Sequence, residues 1–266
     1  MGGPNLTPIP ILAMRSGRYL EHPPILALHR HFRCAWTHRI ADHATTEIAV
    51  VPDGCVDLIW REGRLLAVGP DIVAARPRLA ACETIIGLRF QPGVAAAWLG
   101  LSMDEIVGLA VDMYDVWGRR AQPVIDCLQA APLSQQSALL QDLMVPFARQ
   151  HSVQAPDAAL IFRTLQQSSR EEGAALRPIL SKLGTSERTL RRRSHHLFGY
   201  GPKTLGRILR FQHFARLAGT SRHEGLADLA AAAGYADQAH LSREVRALCG
   251  MSASEFLRQM QAPPAA

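Results

Sequence analysis

The stretch Thr189–Lys203, "TLRRRSHHLFGYGPK", sets three arginines and two histidines beside a Gly-x-Gly-Pro break in a chain otherwise rich in alanine and leucine. Four readings are open to it: a basic tail, a metal patch, a phosphate cradle or a reading head. Its helical periodicity separates them. With about 100° per residue counted from Leu190, Leu190, Ser194 and Leu197 fall within about 40° of one another and form a core-facing stripe. Arg188, Arg191, Arg192 and His195 fall between about 100° and 200°, on the opposite face, whereas Arg193 lies near 300° and His196 near 240°. Two of the three consecutive arginines therefore point outward and one sideways.

The flanks give this helix a context. "ILSKLGTSERTLRRR" and "LAAAAGYADQAHLSRE" share one form: an apolar helix, a glycine (Gly184, Gly234), a polar N-cap (Ser186, Asp237), then a second helix opening onto a leucine (Leu190, Leu241). Glycine ends the first helix in the left-handed conformation, and the side-chain oxygen caps the second. Each unit is a helix-turn-helix by pattern. Between them "GPKTLGRILRFQHFARLAG" reads as a long connecting helix, with Pro202 in its first turn and Leu205, Ile208, Leu209 and Ala215 on a helical period. In the second unit Leu241, Val245 and Leu248 face the core, while Ala239, Ser242, Arg243 and Arg246 face away and Gln238 projects from the helix start. Cations and amides presented this way suit the major groove, where arginine pairs with guanine and glutamine with adenine.

Charge follows the same division. The 266-residue chain has a net charge of +6, and the segment Lys182–Arg216 holds nine cations against the single acid Glu187, so the remainder is near neutral. An anionic partner is expected of this segment.

Upstream, the period changes. From His29 to Phe90 the runs "HFRCAWTHR", "TEIAVV", "CVDLIW", "RLLAVG" and "TIIGLRF" read as short strands of a small, mostly antiparallel β-domain, with Pro52-Asp53-Gly54 as a hairpin turn. From Gln91 to about Ser169 apolar residues recur every three or four positions, in helices that cover the sheet; Ser102 with Glu105 fits a capping box and Pro156-Asp157 a helix start. The expected fold is α+β at the N-terminus followed by an all-α domain with two helix-turn-helix units. The expected boundaries are residues 1–168 for an effector or dimerisation domain, 169–173 for a linker within "SSREEG", and 174–260 for the double helix-turn-helix.

The string "LGTSERTLRRR…FGYGPKTLGRILRFQ…LADLAAAAGYADQAHLSREVR…GMSASEF" resembles the AraC/XylS-type transcriptional regulators, over about 90 residues from Ala174 to Leu257. The resemblance implies two recognition helices on one connecting helix. Arg188, Arg191 and Arg192 would then hold the base- and phosphate-reading positions of the first helix, and Gln238, Ala239 and Arg243 those of the second. Helices about 34 Å apart would read successive major grooves of double-stranded DNA. The family's usual large aromatics are replaced here by Ser194 and Val245, from which looser seating of both recognition helices is expected. "VPDGCVDLIW…VGP…GLRFQPGVAAAWLG" resembles an uncharacterised domain placed ahead of this DNA-binding domain in some bacterial regulators. That resemblance supplies no ligand; the AraC/XylS resemblance implies an N-terminal domain that binds an unidentified small-molecule effector, forms a homodimer or does both, with RNA polymerase as a protein partner.

Further residues carry two readings each. Trp36, Asp53, Cys55, Asp57, Trp60 and Arg89 form a candidate effector site. Arg89, in an apolar run, is either an edge-strand residue in solvent or an inward charge that needs Asp53, Asp57 or a ligand carboxylate. Cys55 is either a thiol sensor or a small buried hydrophobe. His22, His29, His31, His38 and His43 lie within 22 residues, with His29 and His31 on one strand face, and read as strand histidines or as a metal site. No metal and no cofactor are expected. Five scattered cysteines without a Cys-x-x-Cys pair give no disulfide framework. No Gly-x-Ser-x-Gly, phosphate loop or dinucleotide fingerprint asks for an enzyme. The glycines of "GYGPK" open one helix after another helix, so Lys203 and that N-terminus suit a DNA phosphate. Without a membrane-spanning run or a secretory signal, a cytoplasmic location is expected. The competing function is a small-molecule, thiol or metal sensor acting mainly through protein partners.

Overall fold

The computed structural model describes residues 16–42, 49–151, 156–168, 176–220 and 225–261. His43, the first three residues of "TEIAVV" and the 169–173 linker lie outside these. The β-rich half forms one six-stranded sheet from β1 (Gly17–His22), β2 (Phe32–Ile40), β3 (Asp57–Arg61), β4 (Arg64–Val68), β5 (Thr84–Phe90) and β6 (Ala110–Asp112). The order is β1-β2-β5-β3-β4-β6, with every pairing antiparallel.

The expected hairpin at Pro52-Asp53-Gly54 does not form. Val50 pairs only with Ala75, as an isolated bridge, and β3 lies between β4 and β5. The tight hairpin is instead β3–β4, where Glu62 and Gly63 both take positive φ, 51° and 74°. That pair of angles matches the twist of the flanking strands. Asp53-Gly54 still turns the chain, because the Asp53 carboxylate accepts a bond from the Cys55 N–H at 2.9 Å while Gly54 sits at φ 79°.

Alternation gives the sheet two unlike faces. On one, Leu58, Trp60, Leu65, Ile86, Leu88 and Phe90 are buried beneath α1 (Ala95–Leu99), α3 (Gln122–Ala130) and α4 (Leu133–Gln150). The large apolar side chains of α3 and α4 are buried or half-buried against this face, apart from Leu133, which is exposed among the described residues. "SMDEIVGL" makes only one 3-10 turn, Met103–Glu105, with the Glu105 carboxylate accepting from the Ser102 N–H, before α2 (Met113–Trp117). The other face carries Cys34, Trp36, Asp57, Ile59, Ile85 and Arg89. There Gly87 is required: a Cβ would lie 2.4 Å from the Trp36 ring, which crosses β5 at this point.

In the C-terminal half follow α5 (Pro156–Ser168), α6 (Leu176–Leu183), α7 (Glu187–Phe198), α8 (Pro202–Thr220), α9 (Leu226–Ala232), α10 (Gln238–Cys249) and α11 (Ala253–Gln261). Gly184 and Gly234 have φ 55° and 77°, and Ser186 and Asp237 accept from the Thr189 and His240 N–H groups. Helix α5 does not cover the sheet as its position in the chain led one to expect. Its Ala158, Ile161, Phe162 and Leu165 join the same apolar core as Leu205, Ile208 and Leu209 of α8, and Asp157 pairs with Arg193 of α7 at 2.7 Å.

Candidate nucleic-acid interface and the cavity behind it

On α7, Leu190 and Ser194 are wholly buried while Arg188, Arg191 and Arg192 are exposed and His195 is half-buried. Arg193 is turned aside to Asp157, so it is engaged by protein. Ser194 is not loose. Its hydroxyl donates to the Tyr200 carbonyl at 2.7 Å, replacing bulk with a bond that ties the helix to the elbow before α8. Val245, the other small substitute, is also fully buried.

On α10, Gln238, Ala239, Arg243 and Arg246 are exposed. The Ser242 hydroxyl donates to the Gln238 carbonyl at 2.8 Å, so its proton is committed inside the helix. Lys203 is exposed in the first turn of α8, where helix N–H groups and a cation together favour a phosphate. Arg207 reaches from α8 to Glu244 of α10 at 2.8 Å and braces the second unit; periodicity alone gave no sign of it. Asp104 was also missed. With Ser102 it shares a cleft with Arg192, Arg193, His195 and His196, so the N-terminal half lays an exposed carboxylate beside the first recognition helix.

Behind this face lies a cavity of about 470 Å³ on the second face of the sheet. It gathers Trp36, Asp53, Cys55, Asp57 and Arg89 of the candidate effector site. Trp60 does not belong with them: one residue out of phase with Ile59 and Arg61, it is buried on the opposite face. Arg89 is no edge residue either. It stands on β5 in mid-sheet, opposite Asp57 in register, and its guanidinium meets Asp57 at 3.2 Å, Glu21 at 3.2 Å and Asp53 at 3.4 Å. The Trp36 indole N–H donates to Asp57 at 2.7 Å, and Tyr19, stacked on Trp36, donates to Glu21 at 2.6 Å.

Burial shapes the ionisation of this cluster. It pulls against the Arg89 charge, but Asp57 and Asp53 outweigh it and hold the guanidinium well above its ordinary pKa. Desolvation pushes the Asp57 carboxyl up despite the pull of Arg89. Asp71, on the same wall, is pushed up to about 7 by burial and then by Asp53 and Asp57.

Burial likewise raises the Cys55 and Cys249 thiols, each to about 12, and lifts Cys34; Cys82 is raised chiefly by its hydrogen bond to Asp42. A redox sensor needs the thiolate, so the burial of Cys55 favours the small buried hydrophobe of its two readings. The histidines do not converge. His31 accepts from the Trp98 indole at 3.0 Å, His38 faces Ser16, and His29 sits at the end of a 3-10 turn, off any strand. Among the described residues no group of three or more His, Cys, Asp or Glu could hold a metal ion.

The cavity touches the DNA-binding half through the Pro52–Cys55 turn. Gln212 of α8 donates to the Pro52 carbonyl at 2.6 Å, and a Cβ on Gly54 would meet Leu205 at 3.1 Å and Phe162 at 3.4 Å. Farther along, the Ala74 N–H donates to Leu248 of α10 at 2.7 Å.

A double helix-turn-helix with outward cations is the architecture of a DNA-binding transcription regulator, and the family comparisons agree. Residues 179–259 match the helix-turn-helix domain family, and residues 20–112 match a domain of unknown function (DUF6597). The chain carries an AraC-type helix-turn-helix domain behind that N-terminal domain. No curated protein matches it in sequence. Among solved structures it is similar to an apo ToxT variant from Vibrio cholerae strain SCE256, at 11% identity over 86% of this chain and 97% of that one, with a TM-score of 0.48. It is also similar to ToxT from Vibrio cholerae O395, at 10% identity over 86% of this chain and 98% of that one, TM-score 0.48. A fatty-acid-bound ToxT from strain SCE256 matches at 12% identity over 79% and 86%, TM-score 0.41. No helix among the described residues is long and apolar enough to cross a membrane.

Proposed function

We propose that the protein is an effector-controlled, sequence-specific regulator whose helices α7 and α10 read double-stranded DNA and whose sheet cavity takes a small molecule. One observation carries the reading. The turn that lines the cavity, Pro52–Cys55, is also the turn that supports α8, the helix on which both reading units are mounted. A guest that moved Asp53 or Cys55 would therefore press on the connection between the two recognition helices. Arg188, Arg191, Arg192 and His195 of α7, with Gln238, Ala239, Arg243 and Arg246 of α10, are the reading residues, and Lys203 is a phosphate contact. The domain division at 169–173 belongs to this reading, with α5 serving as packing for the DNA-binding half.

Control of transcription brings RNA polymerase as a protein partner. A homodimer through α3 and α4 would have little apolar surface to use beyond Leu133. The test is selection of duplex DNA from a random pool by the full-length chain at moderate salt, repeated in the presence of a cavity ligand. An enriched motif whose retention changes with the ligand supports the proposal. A motif indifferent to every cavity ligand leaves a DNA-binding protein without effector control.

A further inference from the structure

The cavity is unevenly charged. At one end Glu21, Asp53 and Asp57 close on the single guanidinium of Arg89, and Asp71 stands in electrostatic reach of Asp53 and Asp57. The other two arginines of the wall are engaged elsewhere. Arg61, four residues along β3 from Asp57, pairs with Glu83 at 2.6 Å, and Arg76 donates to the Cys249 carbonyl. Two buried polar atoms outside the cavity lining have no hydrogen-bond partner among the described residues: Oε2 of Glu21, whose other oxygen meets Arg89 and Tyr19, and the hydroxyl of Tyr200. Tyr200 is 3% exposed. Its hydroxyl lies 3.7 Å from the point a Cβ on Gly54 would occupy, and Asp53, Cys55 and Asp71 are the groups that act on it electrostatically. Beside the carboxylates the wall turns apolar and aromatic, with Tyr19 and Trp36 stacked at 5.7 Å and with Ile59 and Val68 next to them.

Each class of guest meets these groups differently. An anion adds like charge where Glu21, Asp53 and Asp57 already share one guanidinium. A neutral apolar body fills the aromatic wall but shuts water from the carboxyls of Asp53 and Asp71 without a replacement partner, which is costly. A cation bearing N–H donors offers those carboxyls a partner and gains from the aromatic faces.

We propose that this cavity binds a small organic cation, a primary amine or amidine on a flat apolar body, with its charged head at Asp53 and Asp71 and its body along Tyr19 and Trp36. The proposal rests on the effector reading above and narrows it to one chemical class. Its volume, about 470 Å³, falls within the usual range of about 300–1,000 Å³ for small-molecule sites.

The test uses the full-length protein and two matched sets of probes: 2-phenylethylamine, 2-phenylethanol and 3-phenylpropionate; benzamidine, benzamide and benzoate. Titration calorimetry and Tm are read for each. The expected result is that a cation binds at least tenfold tighter than its neutral and anionic counterparts. Asp71→Asn, with Asp53→Asn as a second variant that keeps an oxygen to cap the turn, should weaken the cation at least tenfold and leave the alcohol unchanged. A carboxylate or alcohol that binds as tightly as its cation overturns the proposal while the effector cavity stands. If no probe in either set binds, the proposal falls, and the effector reading is left to the DNA selection described above.

Discussion

The buried hydroxyl of Ser194 donates to the carbonyl of Tyr200 at 2.7 Å, bridging the recognition helix α7 and the elbow that leads into α8. Removing it leaves that carbonyl without its partner, at a cost of about 1–3 kcal/mol. Ser194→Ala should therefore lower Tm and weaken specific DNA binding together. Ser194→Phe, which restores the bulk common in the family, should destabilise by about as much, because the site is already filled. A denaturant titration of the two variants decides: a more stable Ser194→Phe chain would mean that the site holds an unfilled cavity.

Among the described residues Arg89 is the cation that pairs with Glu21, Asp53 and Asp57. Arg89→Met strands Asp57 and Glu21, whose side chains are 17% and 9% exposed, and such a loss typically costs about 3–5 kcal/mol. Arg89→Lys keeps the charge without the planar fork and should cost less. A urea titration that puts Arg89→Met within about 0.5 kcal/mol of the parent, the range of ordinary surface substitutions, would remove the ion cluster from the account.

Asp71 imposes a pH dependence of definite sign. Its pKa rises from 3.8 to about 7 on folding, through burial and then through Asp53 and Asp57, with Arg89 the nearby cation of the cluster. Between these values the folded chain holds a proton that the unfolded chain has lost. The stability from this group is complete below pH 3.8, declines as pH rises and is gone above about 7. Asp71→Asn is indifferent to this proton. Its Tm advantage over the parent should be smallest near pH 4, widen up to about pH 7 and then hold level; a gap that is flat with pH would contradict the assignment.

Asp104 shares a cleft with Arg192 and His195, and on the proposed reading it would compete with phosphate for them. In an exposed setting such a pair is worth about 0.2–1 kcal/mol, so Asp104→Asn should tighten non-specific DNA binding by up to about fivefold at low salt, with the gain fading as salt rises. Fluorescence anisotropy on a random duplex reads this directly. Unchanged or weaker binding would show that the carboxylate does not reach the reading face.

Legibility in the sequence followed the strength of each local signal. The α7 and α10 units could be read from glycine, cap and leucine spacing, because each of those residues does one local task. Trp60 was misassigned to the cavity because adjacent strand residues point to opposite faces and only register fixes which face is which. Arg89 read more readily as an edge residue in solvent, since nothing local says that β5 is central; pairing with β2 and β3 across long loops settles that. Strand β6 is three residues long, too short for periodicity, and α5 has an ordinary amphipathic pattern that does not name the core it joins. Tyr200 and Asp104 matter only through contacts between the two halves, and a single chain's pattern carries no such contact.

The central claim is that α7 and α10 read DNA together from one rigid connecting helix. Selection of random duplex by the full-length chain tests it most directly, with Arg192→Ala and Arg243→Ala run in parallel on the selected site. The account predicts two half-sites about one helical turn apart, 10–10.5 base pairs, and a loss of about 1–3 kcal/mol for each variant confined to its own half-site. No enriched sequence, or variants that hold the selected site as tightly as the parent, would contradict it.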